Sequence, residues 1–362
     1  MKILFIIVII DKVLSSNVKV LKYAQISSSL HVKVLLGTPL MIKFFEVNLE
    51  SNATYICNTI SNSSTFVSYG NKTTTLLGET ELLYEHCTDT VTLLDMRTTI
   101  SNLTYFKLYK LVGSYDALAF GSKIIQKDTS LVYSLYNQKQ IDKLSFGINN
   151  TIYNDGYVYL GGFPDELIDT THKAKFENVL YEESKWGVKI DNIEVKGKLY
   201  DSKEEKAILS SCALVTYAPR RFIDFFNETV MKKYVDKKDC AYEDLEGNEH
   251  FLCVCDVFDE IPELKMIIEG KVITFKRDFM YRMTLHSCRL TIEENHKGNY
   301  WILGTNFLKN YPIEFSYEDN SIIFYSTNPF DQYERTNYSS VKIILFVNIS
   351  IMLICMLLYN II

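Results

Sequence analysis

The chain has no stretch in which basic residues alternate with aromatics, and its formal net charge is only −6 over 362 residues. Nucleic acid therefore meets no electrostatic footprint, and the overall balance does not call for a charged partner. The 6 histidines are scattered without metal-ligand spacing, so no metal and no cofactor is expected. No serine–histidine pairing of nucleophile and base can be read from the sequence. Proline is scarce (6 residues) and long amphipathic helices are rare. Only Leu131 to Gln140 and Pro219 to Tyr234 carry helical patterning, the second opened by a proline in its first turn.

What is abundant is aromatic: 25 tyrosines and 21 phenylalanines, which suit a pleated, half-buried surface. Short runs rich in aromatic or β-branched residues occur at His31 to Leu36, Phe44 to Leu49, Tyr157 to Leu160, Val188 to Val195, Lys271 to Phe275 and Ser321 to Tyr325. Glycine, asparagine, aspartate or charged turns bound most of them. The expected class is all-β with a few short helices, and the length is enough for two lobes with separate cores.

The two ends are apolar. Residues 1–16 have a lysine near the start, an apolar run from Ile3 to Ile10 and then Ser15-Ser16, the pattern of a secretory leader; a buried N-terminal strand is the alternative. Sequons occur at Asn52, Asn62, Asn71, Asn102, Asn149, Asn227, Asn337 and Asn348. Together these point to the secretory pathway, where disulfides persist. From Ile343 to Ile362 the tail is uncharged and long enough to span a bilayer as a helix. A polar stretch precedes it, which also fits a lipid-anchor signal. Either reading tethers a lumenal or extracellular body to a membrane. Cys355 lies in this tail. The other 7 of the 8 cysteines are in the body, an odd number that implies at least one free thiol.

The chain also contains a weak internal duplication. Phe45 to Leu49 leads into Glu50-Ser51-Asn52, and later comes the apolar run Tyr115 to Gly121. Ala207 to Leu209 leads into Ser210-Ser211-Cys212, and later comes Trp301-Ile302-Leu303-Gly304. Two similar lobes would bring the two polar turns to one interface, a common place for a binding cleft.

These segments resemble pepsin-like aspartic proteases. Leu36-Gly37-Thr38-Pro39 is similar to the family's Ile-Gly-Thr-Pro, and Phe45 to Thr54 to the strand that ends in Asp-Thr-Gly-Ser-Ser. Tyr69-Gly70 resembles the start of the flap hairpin, and Tyr157 to Gly162 the glycine pair that closes the first lobe. Ala207 to Pro219 aligns without gaps to the second catalytic segment, and Trp301 to Tyr311 to the closing signature. The matches follow the family's order over roughly residues 31–325. The resemblance implies an all-β, bilobal, pepsin-like fold. Its parts would be a leader (1–16), a first lobe (17–183), a second lobe (184–328), a polar stalk (329–342) and a transmembrane helix or anchor signal (343–362). It also implies a disulfide between Cys255 and Cys288, as in the family's second lobe; Cys57 with Cys87 and Cys240 with Cys253 are candidates for the remaining bridges, whose connectivity the sequence leaves open.

The resemblance breaks at the chemistry. Such enzymes need two carboxylates about 3 Å apart sharing one proton and holding a water. The two aspartate positions read Glu50 and Ser210. A serine hydroxyl does not ionise at neutral or acid pH, and Glu50 carries an extra methylene. The turn glycines read Asn52 and Cys212, and Cys212 implies a rearranged turn. The cleft set is therefore Glu50, Ser210, Ser51, Asn52, Ser211, Cys212 and the flap residue Tyr69, with no catalytic residue assigned. Asp116, Asp201, Glu204, Glu205 and Asp224 are expected to be distant from the cleft, the charged run as solvated surface. Three functions remain open: a pseudoprotease that binds a peptide or protein in the interlobe cleft, a divergent aspartic endopeptidase, or a structural surface glycoprotein.

Overall fold

The computed structural model describes residues 18–333 except 27–28, 58–62, 78–79, 94–97, 109–115, 125–126, 151–154, 165–171, 246–247 and 284–286. The leader, the apolar tail, most of the polar stalk and the sequons at Asn62, Asn337 and Asn348 lie outside the described residues. Among the described residues, no helix is long and apolar enough to cross a membrane.

The first half of the chain is a series of strands: β1 (Lys19–Ile26), β2 (Ser29–Leu36), β3 (Met41–Asn48), β4 (Tyr55–Ile56), β5 (Val67–Leu77), β6 (Thr80–Leu93), β7 (Thr98–Leu108) and β8 (Asp116–Ala119). Helix α1 (Leu131–Asn137) then leads to β9 (Ser145–Asn150), β10 (Asp155–Leu160) and β11 (Lys173–Glu177). The second half opens with β12 (Gly187–Lys189), β13 (Asn192–Val195), β14 (Lys198–Asp201), β15 (Lys206–Leu209) and β16 (Thr216–Ala218). After helices α2 (Arg220–Phe226) and α3 (Lys232–Asp236) come β17 (Cys240–Leu245), β18 (Asn248–Cys253), β19 (Leu264–Ile268) and β20 (Lys271–Phe275). The chain continues through β21 (Tyr281–Met283), β22 (Cys288–Leu290), β23 (Ile292–Glu294), β24 (Trp301–Leu303), the short helix α4 (Thr305–Leu308), β25 (Ile313–Ser316) and β26 (Ser321–Tyr325).

The duplication is realised as one pairing pattern used twice. β3 runs parallel to β8, β8 antiparallel to β4, and β4 parallel to β7. In the second half β15 runs parallel to β24, β24 antiparallel to β16, and β16 parallel to β23. Each set ends one strand (β3 or β15) in a polar turn. The halves are also tied by a shared sheet, because β25 pairs with β9 and β26 with β11.

The aromatic richness has a local use beneath each turn. Phe146 lies 4.7 Å from Phe120 and stacks on Phe315 at 4.8 Å, while Trp186 Nε1 donates to Phe120 O at 2.6 Å. This cluster backs the end of β8. Under the second turn, Trp301 meets Phe222 edge-on at 4.6 Å, and Phe222 meets Tyr200 at 5.3 Å. Such pairs add about 0.5–1.5 kcal/mol each beyond their buried area.

Several expectations are corrected. Val188 to Val195 is two strands, because Ile190 N donates to Glu205 O and Asp191 N to Ile267 O, handing the chain from one sheet to another. α1 stops at Asn137 because Lys139 turns left-handed (φ 56°) and Gln140 N returns to Leu135 O at 2.9 Å. The Pro219 to Tyr234 segment is not one α-helix; a wider π turn, Asn227–Met231, separates α2 from α3. Cys240–Cys253 and Cys255–Cys288 form, but Cys57 and Cys87 are not joined. Cys57 follows β4, Cys87 is on β6, and β7 runs between them. Two strand spacings are about 9.6 Å, beyond the roughly 7 Å that a disulfide spans.

Candidate functional site

The two polar turns face each other. The first, after β3, carries Glu50, Ser51 and Asn52; the second, after β15, carries Ser210, Ser211 and Cys212. Each is fixed by backbone bonds to its own half. Phe120 N donates to Asn48 O and Gly121 N to Ser51 O, at 3.0 and 2.7 Å. In the second half, Ser210 N donates to Leu303 O and Thr305 N to Ala213 O, at 2.9 and 2.7 Å. The closing glycines are needed for this approach. A Cβ on Gly121 would sit 2.6 Å from Ser51 O, and one on Gly304 2.2 Å from Val215 O.

Ser210 Oγ donates to Glu50 Oε1 at 2.5 Å. It also accepts the amide hydrogens of Cys212 and Ala213, at 3.3 and 3.2 Å. A hydroxyl has one donor hydrogen and two lone pairs, so all three capacities of Ser210 are in use. Glu50 is exposed, and its amide is held by Asn48 Oδ1 at 2.9 Å.

Ser211 crosses between the halves. Its Oγ accepts from Leu49 N at 3.0 Å and donates to Val47 O at 2.5 Å. Ser51 occupies the matching place in the first turn but donates to Ala53 O within its own turn, at 2.7 Å. Thr54 is buried, and its Oγ1 accepts from Ala119 N at 3.1 Å. The hydroxyl of the Asn52 sequon is thus part of the fold. Neither Asn52 nor Cys212 takes a positive φ, so both turns run without the left-handed residue a glycine allows.

Cys212 takes the second glycine position, and its thiol lies beside two carboxylates. Burial, followed by Glu46 and Glu50, pushes its pKa well above the ordinary thiol range. A thiol pushed up in this way favours its protonated form and is a poor nucleophile. Burial, then Glu46 and Cys212, likewise raise the Tyr55 hydroxyl. Glu46 is the residue that sequence reasoning missed. It is buried between Phe45 and Val47, and Asn48 Nδ2 lies 3.5 Å from its Oε2. The available signal was a carboxylate inside a strand flanked on both sides by apolar residues.

The other acids do not join the site. Asp116 is buried, 3.3 Å from Lys43 Nζ, and accepts from Cys57 N. Asp201 and Glu204 are exposed, and Asp224 pairs with Arg220 on the surface. Glu205 corrects the surface expectation: it is 8% exposed, with Trp301 Nε1 and Tyr200 OH each 2.8 Å from one of its oxygens. Its place after a solvated run hid a carboxylate that the Trp301 indole draws inward. Tyr69, on β5, is 58% exposed, and among the described residues no hydrogen bond joins it to either turn. β5 carries two more residues than β6 between Ser68 and Lys72, which displaces Tyr69 from the ladder.

The arrangement thus presents a single solvent-facing carboxylate, Glu50, against a saturated hydroxyl. Among the described residues no group of three or more acidic, histidine or cysteine side chains is placed to hold a metal.

No curated protein matches the chain. Among solved structures, an aspartic proteinase from Irpex lacteus superposes with a TM-score of 0.68 at 13% identity, covering 86% of this chain and 98% of that one. At that identity the likeness establishes the fold alone. The family model of eukaryotic aspartyl proteases matches residues 43–326, from β3 to the end of β26. That span contains both turns, both closing glycines and the strands that set them face to face, and on it the chain belongs to the eukaryotic aspartyl protease family.

Proposed function

We propose that the protein is a membrane-tethered pseudoprotease that binds a peptide or protein segment in the cleft between its two turns. The observation that carries the reading is the saturated hydroxyl of Ser210. Peptide hydrolysis on this scaffold needs a carboxylate pair sharing one proton around a water. Ser210 supplies no second acid, and its one hydrogen is committed to Glu50. The cleft walls and the turn-fixing bonds are kept, so a site for extended chain remains where the chemistry has gone. The two disulfides fit a secretory setting. The tail 343–362 supplies the tether, as a helix or as a lipid-anchor signal, and the sequons make the body a glycoprotein.

The decisive assay incubates the purified full-length chain with a peptide library from about pH 3 to 6, where such dyads work. No cleavage is expected. Cleavage that disappears in Glu50→Ala would overturn the proposal. The tether is checked by alkaline carbonate extraction: the chain should stay in the membrane fraction, and a deletion of 343–362 should release it.

A second reading, hydrolysis through Glu50 with Glu46 as the other acid, is favoured by one feature. The Cys212 thiol feels both carboxylates, so they flank a common point. In that case Glu46→Gln and Glu50→Gln would each abolish cleavage in the same assay.

A further inference from the structure

The first residues of the polar stalk are docked on the second half. β20 is the last strand of its four-stranded sheet, and after β26 the chain returns along that open edge. Val272 N donates to Asp331 O at 2.9 Å and Tyr333 N to Gly270 O at 2.8 Å, with Lys271 and Gln332 bridged between them. Phe330 packs on Tyr311 with ring centroids 5.8 Å apart, and the Tyr311 hydroxyl is tied to the backbone of Thr274. Docking here also covers backbone groups that an edge strand would otherwise present. The described chain therefore leaves the body at one fixed point, beside the turn between β19 and β20.

That point lies behind the cleft. Gly270 N donates to Asp191 Oδ2 at 3.4 Å, and Ile190 N to Glu205 O at 2.9 Å, so the exit stands near the start of β15. β15 and its parallel partner β24 both run from there toward the cleft, where they lead into Ser210 and Gly304. Ser210 is five residues beyond Glu205, which on a strand is about 16 Å. The sheet shared by the halves is also beneath the turns. Phe146 of β9 and Phe315 of β25 back Phe120 from under the first turn, and β26 of the same sheet hands the chain on to the docked segment.

Length then restricts how the body can turn. Nine residues, 334–342, separate Tyr333 from the apolar run that begins at Ile343. At full extension they reach roughly 30 Å. A compact chain of this size is about 50 Å across. A tether shorter than the body cannot carry the exit point round to the far side. The end bearing Gly270 and Tyr333 therefore stays next to the bilayer, and the cleft stays turned from it.

We infer that the cleft faces away from the membrane that holds the protein and receives a peptide segment presented from solution, not one rooted in the same bilayer. The inference rests on both parts of the proposed function, the tether and peptide binding. It names the kind of partner: a soluble peptide or protein with an accessible extended segment.

Two measurements on the full-length chain in lipid vesicles test it. In the first, a fluorescent amino acid replaces either Glu269, at the exit, or Glu50, at the cleft, both of which are exposed. Energy transfer to an acceptor dye on the lipid headgroups should be severalfold stronger from position 269 than from position 50. A glycine–serine linker of about thirty residues inserted after Tyr333, which adds roughly 30 Å of average span, should narrow the gap. Equal transfer, or stronger transfer from position 50, would overturn the inference. In the second, a pool of dye-labelled random decapeptides is offered to the unlabelled chain, either free or fixed to the same vesicles by a short lipidated end. The chain should retain the free pool and exclude the fixed one, and the linker insertion should admit both. Retention of the fixed pool without the linker would overturn the inference and leave peptide binding standing. Retention of neither pool would overturn peptide binding, and the partner with it, while energy transfer still reports which way the cleft faces. Release of the chain from the vesicles by alkaline carbonate would overturn the tether and the inference together.

Discussion

The two turns share one strand pattern but not one set of bonds. The second turn holds the halves together: Ser211 bonds both Val47 O and Leu49 N across the interface, and Ser210 reaches Glu50. The first turn is inward-looking, with Ser51 bonded to Ala53 O and Glu50 N to Asn48. A symmetric active site would need reciprocal bonds from both sides. Here the bonds that fix the geometry of the cleft survive on one side, and the carboxylate survives on the other. On the reading proposed above, a scaffold that binds without cutting needs the first of these but not a matched pair of acids.

The comparison is broken most severely at the glycines. Gly304→Ala would place a methyl 2.2 Å from Val215 O, and Gly121→Ala one 2.6 Å from Ser51 O. Both clashes are with backbone, which cannot swing aside. We expect about 3 kcal/mol or more of destabilisation for Gly304→Ala and somewhat less for Gly121→Ala, read from urea unfolding midpoints. The reverse order would mean that the second turn is the more pliable one.

Next in size is Ser210→Asp, which restores an acid 2.5 Å from where Glu50 now accepts a hydrogen. Two carboxylates this close cannot both ionise, so one folded-state pKa rises above its unfolded value. A raised pKa means full stability below the unfolded value and loss as pH climbs through the folded one. The variant should therefore match the wild type near pH 4 and fall below it by roughly 1–3 kcal/mol at pH 7, measured as thermal stability against pH. A deficit that does not change with pH would mean the two side chains do not meet.

The asymmetry itself is tested by Ser211→Ala against Ser51→Ala. Removing the Ser211 hydroxyl strands a buried amide and a buried carbonyl in the opposite half, at a cost of about 1–3 kcal/mol. Removing that of Ser51 loses one local bond, at about 1 kcal/mol. Equal losses would show that the first turn contributes to the interface after all.

Much of this was legible in the sequence because it is periodic or local. The repeated strand–turn–glycine order located both turns, and Gly121 and Gly304 are where close backbone approach requires them. The long-range partners of a side chain were not legible. Nothing in Ser-Ser-Cys says that Ser211 crosses to Val47 while Ser51 does not, since that depends on small offsets between lobes. Cys57 and Cys87 looked pairable because spacing along the chain is blind to an intervening strand. Glu205 ends a charged run, and only the tertiary position of the Trp301 indole draws it inside. Glu46 was readable as a charge in an apolar strand, but its neighbour Cys212 is more than 160 positions away in sequence.

That neighbour offers the smallest and sharpest probe. Cys212 is held protonated first by burial and then by Glu46 and Glu50, one carboxylate inside the first half and one at its rim. Glu50→Gln removes the outer charge while keeping an acceptor for Ser210, so the bond across the cleft remains. The thiol pKa should fall, and alkylation by iodoacetamide near pH 8.5 should quicken by a few-fold, since rate follows the thiolate fraction. Glu46→Gln should quicken it more, because Glu46 stands ahead of Glu50 among the causes and is itself buried. Unchanged alkylation in Glu50→Gln would separate Cys212 from the rim of the first turn. It would also remove the one feature that places Glu46 and Glu50 about a common point, and with it the case for a residual acid pair.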